Sequence, residues 1–230
     1  MRRLCSVIVA ATLAVACGSG TASNPPPAEP GSDATAGAVS STHDIHKPPA
    51  EPRGTATLDG KWWEEASPCP AGGALTGGAP PEQQRVVCKT EKGKNQGRGT
   101  DFHQNGSKAA EGEYANHVAE GTWVEWSPDG NKLKETAYRA GVKEGIELEW
   151  YSSGPLRAER EYRGGTRNGV TTVWDEAGNK RSMTDFVDGK EHGIATFWDR
   201  DGTVAKVVEY RNGTPVATTR YRGGKPVAGQ

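Results

Sequence analysis

The chain has 230 residues, of which 33% are hydrophobic and 7% aromatic, with 31 glycines, 15 prolines and a formal net charge of −1. So little apolar material excludes a large three-dimensional core, and the glycine and proline content fits many tight turns beside a flexible segment. The near-neutral charge argues against nucleic acid as a partner, since nucleic-acid binders carry a basic patch or stripe. The first predicted element is an export signal, residues 1–16. Arg2 and Arg3 form its positive start, and the apolar run from Leu4 to Ala16 is too short to cross a bilayer but suits a signal peptide.

That run closes with Leu13-Ala14-Val15-Ala16-Cys17, then Gly18 and Ser19. Small residues before a cysteine resemble the lipobox of bacterial lipoproteins. The resemblance implies cleavage before Cys17 and lipidation of its thiol. It implies a lipid-anchored protein of the bacterial cell envelope, at the periplasmic face or in the outer membrane. Ala14-Val15-Ala16 also fits ordinary secretory cleavage, so a secreted protein is the alternative. Of the four cysteines, Cys5 leaves with the signal. With Cys17 acylated, Cys69 and Cys88 remain as one disulfide pair in an oxidising compartment.

Residues 17–57 read as a disordered tether. Gly18 to Thr57 holds seven prolines, five glycines and seven alanines, and no aromatic. Such a stretch cannot bury enough apolar surface to offset the entropy of ordering. Its reach runs from ~35 Å as a coil to ~120 Å in extended polyproline form. His43 and His46 sit in it, but no rigid element fixes them, so no metal site is expected there. Residues 58–91 form a different segment, with Trp62, Trp63, a glycine-rich run from Ala71 to Gly78, and Arg85-Val86-Val87-Cys88. It predicts two short strands, around Lys61 and around Val86, pinned by Cys69–Cys88 and capping a repeat array.

The array, residues 92–215, has a fixed period. Gly97, Gly121, Gly145, Gly169 and Gly193 are each 24 residues apart. The same interval separates Phe102, Trp126, Trp150, Trp174 and Trp198, and separates Tyr114, Tyr138, Tyr162, Phe186 and Tyr210. Thr122, Val124 and Trp126 alternate with Trp123 and Glu125, which is the period of a strand with two faces. Ser127-Pro128-Asp129-Gly130 then suits a type I turn with glycine left-handed, followed by a return strand to Tyr138. The expected fold is all-β: five antiparallel hairpins forming a twisted single-layer meander. The Thr122, Val124 and Trp126 columns predict one apolar face, and the Asp101, Glu125, Glu149 column a charged one. Equivalent rings would recur every ~10 Å, so each must pack on the intervening strand, and the repeated glycines would let a ring lie against backbone. Residues 216–230, with Ala217 for glycine and Arg222 for tryptophan, read as a degenerate last strand and tail.

Tyr138-Arg139-Ala140-Gly141-Val142-Lys143-Glu144-Gly145, followed by Trp150 and Gly154, resembles the MORN repeat. The likeness runs from Gly93 to about Pro215. It is closest to the bacterial variant found in exported MORN-repeat proteins and in proteins labelled antitoxin components. The resemblance implies a β-hairpin array that serves as a scaffold for protein partners, and in some members for lipid head groups.

Catalytic constellations are missing from the sequence. His103, His117 and His192 fall in different repeats and columns, and neither Gly-x-Ser-x-Gly nor His-Glu-x-x-His occurs. Carboxylates one repeat apart, as in Asp101, Glu125 and Glu149, are too distant for the closer glycosidase geometry of about 5 Å. The chain is therefore expected not to be an enzyme and to need no cofactor or metal. Trp123, Tyr151 and Phe197 break the column rule and are expected to project from the polar face, and one of the adjacent Trp62 and Trp63 should also point outward. These five are the candidate binding residues. The expected function is a non-catalytic envelope lipoprotein displaying a hairpin scaffold to an envelope protein. The alternatives are binding of cell-wall glycan (peptidoglycan) or anionic lipid head groups through the outward aromatics, and an antitoxin component.

Overall fold

The computed structural model describes residues 60–227. The signal sequence, Cys17, the tether with His43 and His46, and residues 228–230 lie outside the described residues. The described chain begins with a 3-10 turn, Trp62–Glu64, followed by β1 (Gly73–Gly78) and β2 (Arg85–Thr90). Five hairpins come next: β3 and β4 (Asn95–Phe102, Lys108–Ala115), β5 and β6 (Val118–Trp126, Lys132–Arg139), and β7 and β8 (Val142–Trp150, Leu156–Arg163). Then come β9 and β10 (Thr166–Trp174, Lys180–Val187), β11 and β12 (Lys190–Trp198, Val204–Arg211), β13 (Thr214–Arg222) and β14 (Lys225–Val227). All fourteen form one open antiparallel sheet in sequence order, so every strand pairs with its neighbours in the chain.

Two kinds of turn alternate. In the slot of Ser127-Pro128-Asp129-Gly130, the Gly130 amide donates to the Ser127 carbonyl at 2.9 Å, with Gly130 at φ 84°. The same bond recurs at Gly106, Gly154, Gly178 and Gly202. At the other end, both central residues are left-handed, as in Ala140 (φ 49°) and Gly141 (φ 82°). That is the type I′ geometry whose twist matches the flanking strands. His117 holds the glycine place in one copy at φ 75°, and its Nδ1 accepts the Asn95 amide at 3.1 Å.

The cap departs from expectation. Lys61 precedes the 3-10 turn instead of starting a strand, and the first strand lies in the glycine-rich run. Side-chain packing decides this: the Trp62 indole is buried and donates to Thr100 Oγ1 at 2.8 Å. The glycines let β1 approach β2 closely, because a Cβ on Gly77 would meet the Arg85 carbonyl oxygen at 2.0 Å. The disulfide Cys69–Cys88 joins this segment to β2, and Cys88 is fully buried. Trp62, Val86, Cys88 and Phe102 make the one compact apolar cluster found among the described residues.

The expectation of one apolar and one charged face is corrected. Directly opposed residues of antiparallel strands share a face. Val124 opposes Glu135, which opposes Leu148, and Lys132 lies both beside Glu135 and over the Trp150 ring. This is the tryptophan face. Trp123 opposes Thr136, which opposes Glu147, and Trp123 meets the Tyr114 ring. This is the tyrosine face. The two aromatic columns therefore lie on opposite sides of a single layer, and burial runs down the middle of both. The Thr122 column is not core: Ile146, Val170 and Ile194 are 43%, 41% and 48% exposed.

The last strand is longer than the tail expected from the sequence. β13 is nine residues long and pairs with β12 over most of its length. Its side chains are almost all exposed, because the aromatic and glycine columns have ended.

Candidate functional site

Both faces of the array are candidate surfaces, and the geometry of each is set by the register. The tyrosine face starts at Trp123. Its ring meets Tyr114 edge-on at 4.9 Å between centroids, and its Nε1 donates to the Glu113 carbonyl at 3.0 Å. It lies over Gly112, where a Cβ would come within 2.4 Å of the ring. This is the ring-on-glycine packing expected from the sequence, but at another glycine. At Gly121 nothing lies within 4 Å of the Cβ position, and a φ of 67° is what asks for glycine there.

In the middle repeats the same face turns ionic. Glu147 stands where Trp123 stands one repeat earlier, and it is buried. It is bonded by Lys143, accepts from Thr136 Oγ1 at 3.3 Å and pairs with Arg160 Nη1 at 3.3 Å. Arg160 also reaches Glu149 at 2.7 Å, and Arg157 reaches Glu149 at 2.6 Å. Burial works against the Lys143 charge, but the hydrogen bond and charge of Glu147 outweigh it and hold the amine above the ordinary lysine range. Burial likewise opposes ionisation of Glu149, and Arg160, Arg157 and Lys134 outweigh it and hold the carboxyl below the usual range. The sequence signal for this cluster was the change from Trp to Glu in one column with Arg160 appearing in the opposed column.

The five candidate aromatics do not converge. Trp123 and Phe197 share the tyrosine face but sit on β5 and β11, roughly 29 Å apart at ~4.8 Å per strand. Both are half-buried, and Lys206 lies 4.2 Å from the Phe197 centroid. Tyr151 is in a turn, where its hydroxyl donates to the Trp174 carbonyl at 2.9 Å and ties one repeat to the next. His103 occupies the same slot and bonds to the Trp126 carbonyl at 2.9 Å. Trp62 and Trp63 belong to the other side. Trp62 is buried, and Trp63 packs edge-on to Phe102 at 5.5 Å.

A second inter-repeat device had no sequence signal of its own. Gln96, Glu120 and Glu144 accept the first amide of the type I′ turn one repeat later, from Asn116, Ala140 and Gly164, at 2.7–2.9 Å. The column is polar in every copy: Gln96, Glu120, Glu144, Asn168 and His192.

Among the described residues, the cap covers the tryptophan face in the first repeat. There Trp62 sits on Thr100, and Thr100 Oγ1 donates to the buried Glu111 at 2.6 Å. Further along, Ile146, Val170 and Ile194 remain exposed on that side.

Residues 191–212 match the family model described as the MORN repeat variant. The match covers the start of β11 to the turn after β12 and supports a MORN-repeat protein. No curated protein matches the chain. The matched stretch contains Gly193, Trp198, Gly202 and Tyr210, the same columns that run through the other four hairpins. A MORN-type hairpin thus recurs as a structural unit in an open sheet.

Proposed function

We propose that this chain is a non-catalytic lipoprotein of the bacterial cell envelope that presents its hairpin array to a protein partner. The observation that carries the proposal is the single open layer. Beyond the first repeat, nothing among the described residues covers either face, while both faces hold ordered, half-buried side chains. On the tryptophan face the exposed Ile146, Val170 and Ile194 recur on alternate strands, with Glu161 and Asp185 on the strands between them, a mixed apolar and acidic surface of the kind found at protein interfaces. The disulfide fits an oxidising compartment outside the cytoplasm. Cys17 is the proposed anchor, and residues 18–57 the tether between membrane and array.

The test is affinity capture from the producing cell's envelope with the full mature chain, after crosslinking. One enriched protein, lost when Ile146, Val170 and Ile194 are changed together to Lys, supports the proposal. Glycan or lipid co-purifying with no protein contradicts it, and so does a set of proteins equally enriched by the variant.

A further inference from the structure

One stripe of the tryptophan face crosses six strands and takes one side chain from each. Ile146 on β7, Val170 on β9 and Ile194 on β11 are exposed. Glu161 on β8, Asp185 on β10 and Glu209 on β12 stand directly opposite them. Apolar and acidic residues therefore alternate along the stripe, and each kind recurs every second strand, at ~9.6 Å. The column glycines seat two of the acids. A Cβ on Gly169 would collide with Glu161 Oε2, and one on Gly193 would lie 3.2 Å from Asp185 Oδ2. In the first repeat the same column holds Glu113, which lies opposite Arg98. The Arg98 place becomes Ile146, Val170 and Ile194, while the acid returns at Glu161, Asp185 and Glu209. Among the described residues no ion pair reaches Glu161 or Asp185. Burial holds the Asp185 carboxyl above its usual range, against the pull of the Ile194 amide and His192. A half-buried carboxylate without a cation is complementary to one brought by a partner.

We propose that this stripe, from β7 to β12, is a docking site for a basic, proline-rich segment of a protein partner, lying across the strands in the polyproline conformation with Lys or Arg at every third residue. This rests on the protein-scaffold reading above and names the chemistry of the partner. The backbone follows from the spacing. Polyproline has three residues per turn and rises ~3.1 Å per residue, so every third side chain points the same way at ~9.3 Å. An α-helix returns to one side after seven residues, at ~10.5 Å. From Glu161 to Glu209 the α-helix falls out of step by ~1.8 Å and polyproline by ~0.6 Å. An extended strand turns its third residue to the opposite side. The cations meet Glu161, Asp185 and Glu209, and the prolines between them cover Val170 and Ile194.

This chain's own Lys47-Pro48-Pro49-Ala50-Glu51-Pro52-Arg53 has the composition but not the pattern, with alanine at the middle place and an acid beside it. The probe is therefore a synthetic peptide of three Lys-Pro-Pro units. It is titrated into the isotopically labelled mature chain, and amide shifts are followed by NMR. Shifts at Glu161, Val170, Asp185 and Ile194 are expected. A peptide of the same composition with its lysines adjacent should bind about tenfold more weakly, the worth of two partly exposed charge pairs. Asp185→Asn should weaken binding of the first peptide about threefold. Equal binding of the two peptides, equal binding to Asp185→Asn, shifts centred on Glu147 and Glu149 of the other face, or no shifts at all would overturn the proposal. Stripe shifts without peptide would overturn it too. Those that follow protein concentration would mean a second copy, and those produced by Lys47→Glu with Arg53→Glu would mean this chain's own segment. Peptide binding at the stripe with no envelope protein captured would keep the site and sink the scaffold role. A captured partner whose contacts avoid β7 to β12 would do the reverse.

Discussion

Gly112→Ala should be unusually destabilising for a strand glycine, and Trp123 should be the reason. Gly112 is buried in β4 with ordinary backbone angles, so alanine meets no conformational strain. Without its neighbour, the change would stabilise by about 0.4–1 kcal/mol by restricting the unfolded chain. But the added Cβ would stand 2.4–2.6 Å from three Trp123 ring carbons. The ring must move, and it gives up two contacts. The edge-on pair with Tyr114 is worth about 0.5–1.5 kcal/mol. The indole bond to Glu113 is worth about 1 kcal/mol. Residual crowding adds about 1 kcal/mol, so after the unfolded-chain gain is subtracted the single variant should lose roughly 1.5–3 kcal/mol. Urea unfolding followed by circular dichroism measures this in a double-variant cycle with Trp123→Ala. In the Trp123→Ala background, Gly112→Ala should be neutral or slightly stabilising. An equal loss in both backgrounds would refute the packing argument.

Glu147→Ala should cost about 2–3 kcal/mol, less than a fully buried pair because Lys143 and Arg160 keep some water contact; thermal unfolding reads it, and no change would mean the cluster is only surface charge. Burial, helped by Glu161, raises the Glu159 carboxyl above its usual range. Its ionisation therefore opposes folding: its stabilising contribution is full below the unfolded value near 4.5 and is lost as pH rises through the raised folded value. Glu159→Gln should raise the melting temperature at pH 7 and leave it unchanged below about pH 4, and a pH-independent effect would count against this assignment. Replacing Cys69 and Cys88 by Ser should loosen the cap by about 3 kcal/mol on the chain-entropy model, seen as faster amide exchange at Trp62 and Thr100 with β9 to β12 unaffected. Cys17→Ala should move the protein from the membrane pellet to the soluble fraction; an unchanged distribution would remove the lipid anchor.

The period, the turn slots and the sheet order were legible because each rests on local chemistry. Asp129-Gly130 and its equivalents specify a turn wherever they stand, and one hairpin repeated five times pairs with its neighbours by default. Which face each column takes was not legible. Alternation along β5 places Val124 with Trp126, but only the register across the turn tells whether Tyr138 joins them. The bulge between Glu125 and Trp126 sets that register, Tyr138 pairs with Gly121, and the aromatic columns fall on opposite sides. The place of Trp62 was hidden for a different reason: its partner Thr100 is 38 residues away, and nothing local in Lys61-Trp62-Trp63 signals a buried turn. The candidate aromatics were chosen by parity within strands, which found Trp123 and Phe197 on one face but missed the distance between them. Tyr151 lies in a turn, where strand parity does not apply.

The central claim is that the uncovered layer is a protein-docking surface. Photo-crosslinking in the producing cell tests it most directly, with a crosslinking residue placed singly at Ile146, Val170, Ile194, Glu125 and Lys134. The account predicts one discrete protein adduct from adjacent positions on one face, and none from the other face. Adducts to glycan or lipid alone, or a diffuse smear from every position, would contradict it.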